Sequence, residues 1–108
     1  MKKVLVLGAT GGIGGEVAPQ LSAAGWEVCA LTRDVDRARS QNAAFTWVEG
    51  DALNRDAVLA AARGCAVIVH GVNPPGYRNW AEQVLPMIDN TIAAALVEGA
   101  TIVLPGTV

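Results

Sequence analysis

Residues 4–15 read Val-Leu-Val-Leu-Gly-Ala-Thr-Gly-Gly-Ile-Gly-Gly. Val4 to Leu7 form a short unbroken apolar run, the pattern of a parallel strand buried on both faces. Gly8, Gly11 and Gly14 then recur at intervals of three, and an amphipathic segment follows. Strand, glycine turn and helix in that order are the context that a dinucleotide-binding turn requires. Gly8 lets the chain turn sharply off the strand, Gly11 leaves room for a pyrophosphate against the backbone, and Gly14 lets the helix lie close to the sheet. The backbone from Thr10 through Gly12 to Ile13 then lines the phosphate site, with the unpaired N–H groups of the first helical turn facing the oxygens. A glycine triplet alone is a common structural turn; its place between strand and helix makes the nucleotide reading specific. No Gly-Lys-Ser/Thr closes the stretch, which excludes a Walker-type phosphate loop.

Outward from this turn, the first strand spans Lys3 to Leu7. A helix is predicted over residues 12–24, with Ile13, Val17 and Leu21 as its apolar stripe and Gly25 as its stop. Pro19 opposes it, since a proline inside a helix costs ~3 kcal/mol and one ladder bond. Residues 27–31 read as strand two, 34–40 as a short helix capped by Asp34, and 44–48 as strand three. Asn54 caps a helix over 55–63 with Ala57, Val58, Ala61 and Ala62 inward, and strand four covers 66–69. Pro74-Pro75-Gly76 makes 71–79 a loop. A long helix follows, with Trp80, Val84, Met87, Ile88, Thr91, Ala95 and Leu96 on one face and Pro86 opening its second part. Gly99 ends it, and 101–104 is strand five. Strands alternate with helices throughout, without repeats or tandem hairpins. The expected fold is therefore a Rossmann-type, doubly wound α/β parallel sheet of three layers. Right-handed crossovers and a cofactor turn after strand one suggest the strand order 3-2-1-4-5.

Composition bounds the partners. The 108 residues suffice for one domain; 52% are apolar and 17% charged, enough for a real core and against disorder. A net charge of −2 without a basic stripe argues against nucleic acid. Lys2-Lys3 precedes only four apolar residues, too few for a secretion signal. Nothing approaches the length of a membrane span, so a cytoplasmic location is expected. Cys29 and Cys65 stand apart in apolar surroundings and read as buried free thiols rather than a disulfide or a nucleophile. His70 is the sole histidine and has no Cys/His cluster around it, so no metal is expected.

Gly-Ala-Thr-Gly-Gly-Ile-Gly, residues 8–14, resembles the cofactor loop of the short-chain dehydrogenase/reductase superfamily. It is most similar to the extended and atypical branches, the NAD(P)-dependent epimerase/dehydratase group, where Gly-x-x-Gly-x-x-Gly is usual. The resemblance covers the whole chain and is strongest at 4–15, 50–52 and 66–71.

In such sheets ligands bind at the carboxyl ends of the strands. NAD-preferring sites carry an acid after strand two; here the slot falls at about Thr32, which is not acidic, and Arg33 follows. A guanidinium there fits a 2′-phosphate, so NADP is expected over NAD. Against that, Arg33 can be a solvated residue paired with Asp34 or Asp36, and Asp34 can fill the acidic role. After strand three, the resemblance implies that Asp51 accepts the adenine amino group and that Ala52 frames the ring; the alternative is a capping carboxylate. After strand four it implies that the backbone of His70 and Gly71 passes the ribose and nicotinamide. Gly71 suits close approach. For His70 a general-base role stands beside the commoner one of a hydrogen-bonded structural residue. After strand five, Thr107 matches the family's Ser/Thr that holds the reacting oxygen of the substrate, or is an ordinary turn residue.

The Tyr-x-x-x-Lys pair that performs the family's proton relay has no counterpart. Tyr77 has Ala81 four residues on, and the lysines are Lys2 and Lys3. The expectation is the cofactor-binding half of a longer oxidoreductase, epimerase or dehydratase acting on a small molecule. A non-catalytic, dinucleotide-sensing regulator of the NmrA-like kind is the alternative. A purely structural domain leaves the glycine triplet, Asp51 and the strand ends without a common purpose. By itself the segment is expected to lack turnover, and an open strand-five edge (Ile102, Val103, Leu104) to favour self-association.

Overall fold

The computed structural model describes residues 2–8, 12–41, 43–71 and 80–104, with backbone alone for 12–15 and 80–84. Its elements are β1 (Lys3–Leu7), α1 (Gly12–Ala23), β2 (Glu27–Thr32), α2 (Val35–Gln41), β3 (Thr46–Glu49), α3 (Arg55–Ala62), β4 (Val67–His70), α4 (Trp80–Glu98) and β5 (Thr101–Val103). All strand pairs are parallel, in the order β3-β2-β1-β4-β5. This is the expected doubly wound, Rossmann-type sheet.

Alternation along β1 builds the three layers. Val4 and Val6 face one side, where they pack with Val28, Ala30, Trp47, Ala18 of α1 and Ala38 of α2. Leu5 and Leu7 face the other, with Ile68, Val58, Ala61 and Ala62 of α3, and Ala94 and Ala95 of α4. The helices divide this way because right-handed crossovers running in opposite directions along a sheet fall on opposite faces. All four apolar residues of β1 are buried. Each contributes roughly 1.5–3 kcal/mol relative to exposure, which makes β1 the centre of the core.

Cys29 and Cys65 are free and buried on the α3/α4 side. Cys65 Sγ donates to the Ala61 carbonyl at 3.6 Å, and the neighbouring Cys29 thiol together with burial raises the Cys65 pKa. Both side chains pack into this core as free thiols.

Several expectations change in detail. α1 runs through Pro19, whose side chain is exposed while Ala18 beside it is fully buried. Packing of Ala18 on the sheet holds the helix together across the proline. Of the expected stripe, Val17 and Leu21 are only half-buried. α4 is likewise continuous through Pro86, which is exposed, rather than divided there. Met87, Thr91 and Ala95 of the expected inner face are buried, joined by Asn90 and Ala94, but Leu96 is 79% exposed. Small residues let α4 approach the sheet and α3 closely, so the inner arc is narrow and the larger apolar side chains Leu85, Ile92, Leu96 and Val97 lie outside it. In β5, at the end of the sheet, Ile102 is half-buried and Thr101 and Val103 are exposed.

Candidate functional site

Five parallel strands bring all their carboxyl ends to one edge. The turn after β1 opens with Gly8 at φ +82°, a conformation that a side chain disfavours. Gly71, after β4, donates its N–H to the Leu7 carbonyl at 3.0 Å, which sets the two glycines at neighbouring strand ends. Gly12, Ile13 and Gly14 form the first turn of α1, where N–H groups have no intrahelical acceptor and no acidic side chain competes for them. That is the local arrangement suited to an anion. Thr10 and Gly11, from the same turn, and Thr107, from the end of strand five, lie outside the described residues.

At the end of β2, Thr32 Oγ1 accepts from the N–H of Asp34 at 3.2 Å. Asp34 Oδ1 in turn accepts from the N–H of Arg37 at 3.1 Å, capping α2. Asp34 is thus engaged with its own helix. Beside it lies an open cleft of ≈430 Å³ lined by Thr32, Asp34, Arg37, Ala38 and Gln41. Sequence reading passed over Arg37. Its signal was there: three residues after a cap, it falls in the first turn of the helix that begins beyond the end of β2.

Arg33 does not pair with Asp34 or Asp36. Its Nη2 reaches Asp51 Oδ2 at 2.7 Å, joining the loops after β2 and β3. The arginine side chain is 84% exposed and the aspartate 31%. Asp51 Oδ1 also accepts from the N–H of Leu53 at 2.9 Å, holding the turn before α3, while Asn54 takes the capping position with its Oδ1 on the N–H of Ala57 at 3.2 Å. Gly50 fixes this loop to β2 by donating its N–H to the Thr32 carbonyl at 2.8 Å. Ala52 is buried, and its carbonyl accepts from Asn90 Nδ2 of α4 at 2.9 Å. Asn90 is a second residue that periodicity alone did not single out, because a lone polar residue in a helix pattern reads as surface.

His70, at the last position of β4, is buried and turned toward α4, with Nδ1 2.8 Å from Thr91 Oγ1. Burial lowers its pKa from the ordinary 6.5, because the charged ring is poorly solvated there. The unfolded chain therefore takes up this proton more readily than the folded one. The His70 contribution is neutral above the unfolded pKa, turns destabilising as pH falls through it, and levels off below the folded pKa. Urea midpoints measured at about pH 7.5 and about pH 5.5 are expected to fall less in His70→Gln than in the parent. An equal fall in both would assign the acid sensitivity to other groups. Among the described residues no group of three or more His, Cys, Asp or Glu side chains can hold a metal ion.

Known proteins share this architecture. The chain is 46% identical over 70 residues to a 3-diazoavenalumate denitrifying reductase of Streptomyces sp., a match covering 63% of this chain and 22% of that protein. Vestitone reductase from alfalfa (Medicago sativa L.) superposes with a TM-score of 0.75 at 21% identity, covering 96% of this chain and 36% of the other. UDP-N-acetylglucosamine 4-epimerase from Bacillus cereus gives a TM-score of 0.77 at 18% identity, covering 99% of this chain and 36% of the other. The chain thus spans well under half the length of each. The structural likenesses establish the fold, which the chain shares with this reductase and this epimerase. The model of the NAD(P)H-binding family matches residues 8–103, from the first glycine of the turn to the end of β5, and the chain belongs to that family.

Proposed function

We propose that this chain is the cofactor-binding part of an NADP-dependent reductase or related oxidoreductase, with the dinucleotide lying across the carboxyl edge of the sheet. The observation that carries the NADP preference is the state of the β2 end. The acid that would select NAD, Asp34, is engaged in capping α2, and two guanidinium groups, Arg33 and Arg37, stand at or near the same strand end. An exposed ion pair such as Arg33–Asp51 contributes under about 1 kcal/mol. A doubly charged 2′-phosphate offers Arg33 roughly 1.5–3 kcal/mol through charge-assisted hydrogen bonds. The arginine therefore changes partner, which frees Asp51 Oδ2 for the adenine amino group with Ala52 beneath the ring.

The remaining roles follow the edge. Gly8 and the turn through Thr10, Gly11, Gly12, Ile13 and Gly14 hold the pyrophosphate, Gly71 gives the ribose and nicotinamide a close backbone, and Thr107 holds the reacting oxygen of a small-molecule substrate. Bound NADPH supplies a hydride; these residues bind and orient.

Titration by nicotinamide fluorescence tests the reading. The parent is expected to prefer NADPH over NADH by roughly ten- to a hundredfold. Arg33→Ala is expected to remove most of that ratio, and Arg37→Ala to reduce it. Equal affinities in the parent would make both arginines ordinary surface charges.

A further inference from the structure

Asn90 and Thr91 are consecutive, polar and buried on the inner face of α4, among Met87, Ala94 and Ala95. Buried polar side chains are costly unless paired, and here each pairs with a different strand end. Asn90 Nδ2 donates to the Ala52 carbonyl at 2.9 Å, in the loop after β3. Thr91 Oγ1 lies 3.0 Å from the Met87 carbonyl and 2.8 Å from His70 Nδ1, at the end of β4.

These distances suit one proton arrangement. A threonine hydroxyl has one hydrogen, and with that hydrogen on the Met87 carbonyl, Nδ1 of His70 carries its own and donates it to Oγ1. In the neutral ring, Nε2 is the bare nitrogen. The two strand ends are also held from the backbone side. Gly71 N–H binds the Leu7 carbonyl and Gly50 N–H binds the Thr32 carbonyl, so each loop is gripped at two points.

We infer that Asn90 and Thr91 are positioning residues for the cofactor edge, Asn90 holding the Asp51–Ala52 loop and Thr91 the His70–Gly71 corner. One helix behind the sheet thereby keeps the adenine side and the nicotinamide side in a common register. The inference rests on the dinucleotide reading of that edge. It separates the two residues by which half of the ligand each serves, a division that general loosening of the fold would not produce.

The test uses the full chain with two probes, NADPH and adenosine 2′,5′-bisphosphate, the latter carrying only the adenine half. Asn90→Leu is expected to weaken both probes together, by roughly tenfold, the size of one neutral hydrogen bond. Thr91→Val is expected to weaken NADPH while leaving the bisphosphate unchanged, and Thr91→Ser to restore NADPH. Long-range nitrogen–proton NMR of the parent imidazole is expected to show Nδ1 protonated and Nε2 bare, with that preference lost in Thr91→Val and regained in Thr91→Ser. Should Asn90→Leu not fold, Asn90→Ala with amide exchange at Leu53 replaces it, and faster exchange is expected. Unchanged bisphosphate affinity in a folded Asn90 variant, equal losses of both probes in both variants, or a parent ring protonated at Nε2 overturns the inference. A parent that binds neither probe overturns the dinucleotide reading first, and this inference with it.

Discussion

A Gly50→Val variant is expected to lose both stability and the adenine side of the site. A Cβ at residue 50 would stand 2.5 Å from the Cβ of Ala57 and 3.3 Å from Cδ2 of Leu31. Neither neighbour moves cheaply. Ala57 is in the first turn of α3, and its N–H is held by the Asn54 cap. Leu31 packs against the core cluster between the sheet and α3. Relief therefore requires displacing the start of α3 or the loop that carries Asp51. Overpacking of this kind costs roughly 1–3 kcal/mol, and the Gly50–Thr32 backbone bond is strained with it. Urea denaturation should show a lower midpoint with an unchanged slope, and adenosine bisphosphate should bind more weakly. Gly50→Ala should move both in the same direction. Stability within about 0.5 kcal/mol of the parent would show that the loop yields freely, contrary to the close packing seen here.

The second large effect belongs to the turn after β1. Gly8→Val places a β-branched residue at φ +82°, where such side chains are outliers and the strain is roughly 1–3 kcal/mol. The chain must then leave β1 along another path, and the first turn of α1 no longer meets a pyrophosphate at the strand end. NADPH binding is expected to fall below detection while circular dichroism retains the α/β signature, because the core on β1 is untouched. Gly11→Val, three residues on in the same turn, is expected to abolish binding for want of space. Parent-like NADPH affinity in a folded Gly8→Val protein would reduce the glycine turn to a structural device.

Much of this protein was determined by its sequence alone, for a definable reason. A continuous apolar run such as Val4–Leu7 is stable only with cover on both faces, which makes β1 central. Handedness of the crossovers, with the glycine turn placed after strand one, then points to the order 3-2-1-4-5 for strands alternating with helices. Asn54 as the cap of α3 was equally local, since a cap and the N–H it accepts lie three residues apart. The tertiary structure decided what periodicity leaves open. Periodicity does not fix where an apolar face ends, and in α4 the core took Met87, Thr91 and Ala95 of the expected face together with Ala94, and left Leu96 outside, because close approach favours small side chains. Pro19 and Pro86 stand on exposed faces of helices whose buried sides, Ala18 in α1 and Met87 in α4, pack into the core. The pairs that shape the candidate site are longer-range still. Arg33 meets Asp51 because parallel pairing of Thr32 with Glu49 sets the two loops side by side. Asn90 meets Ala52 only because α3 and α4 pack on the same face. Local patterning encodes which face of an element is buried; the partner across the core is set by strand register and helix packing, which no stretch of the chain carries by itself.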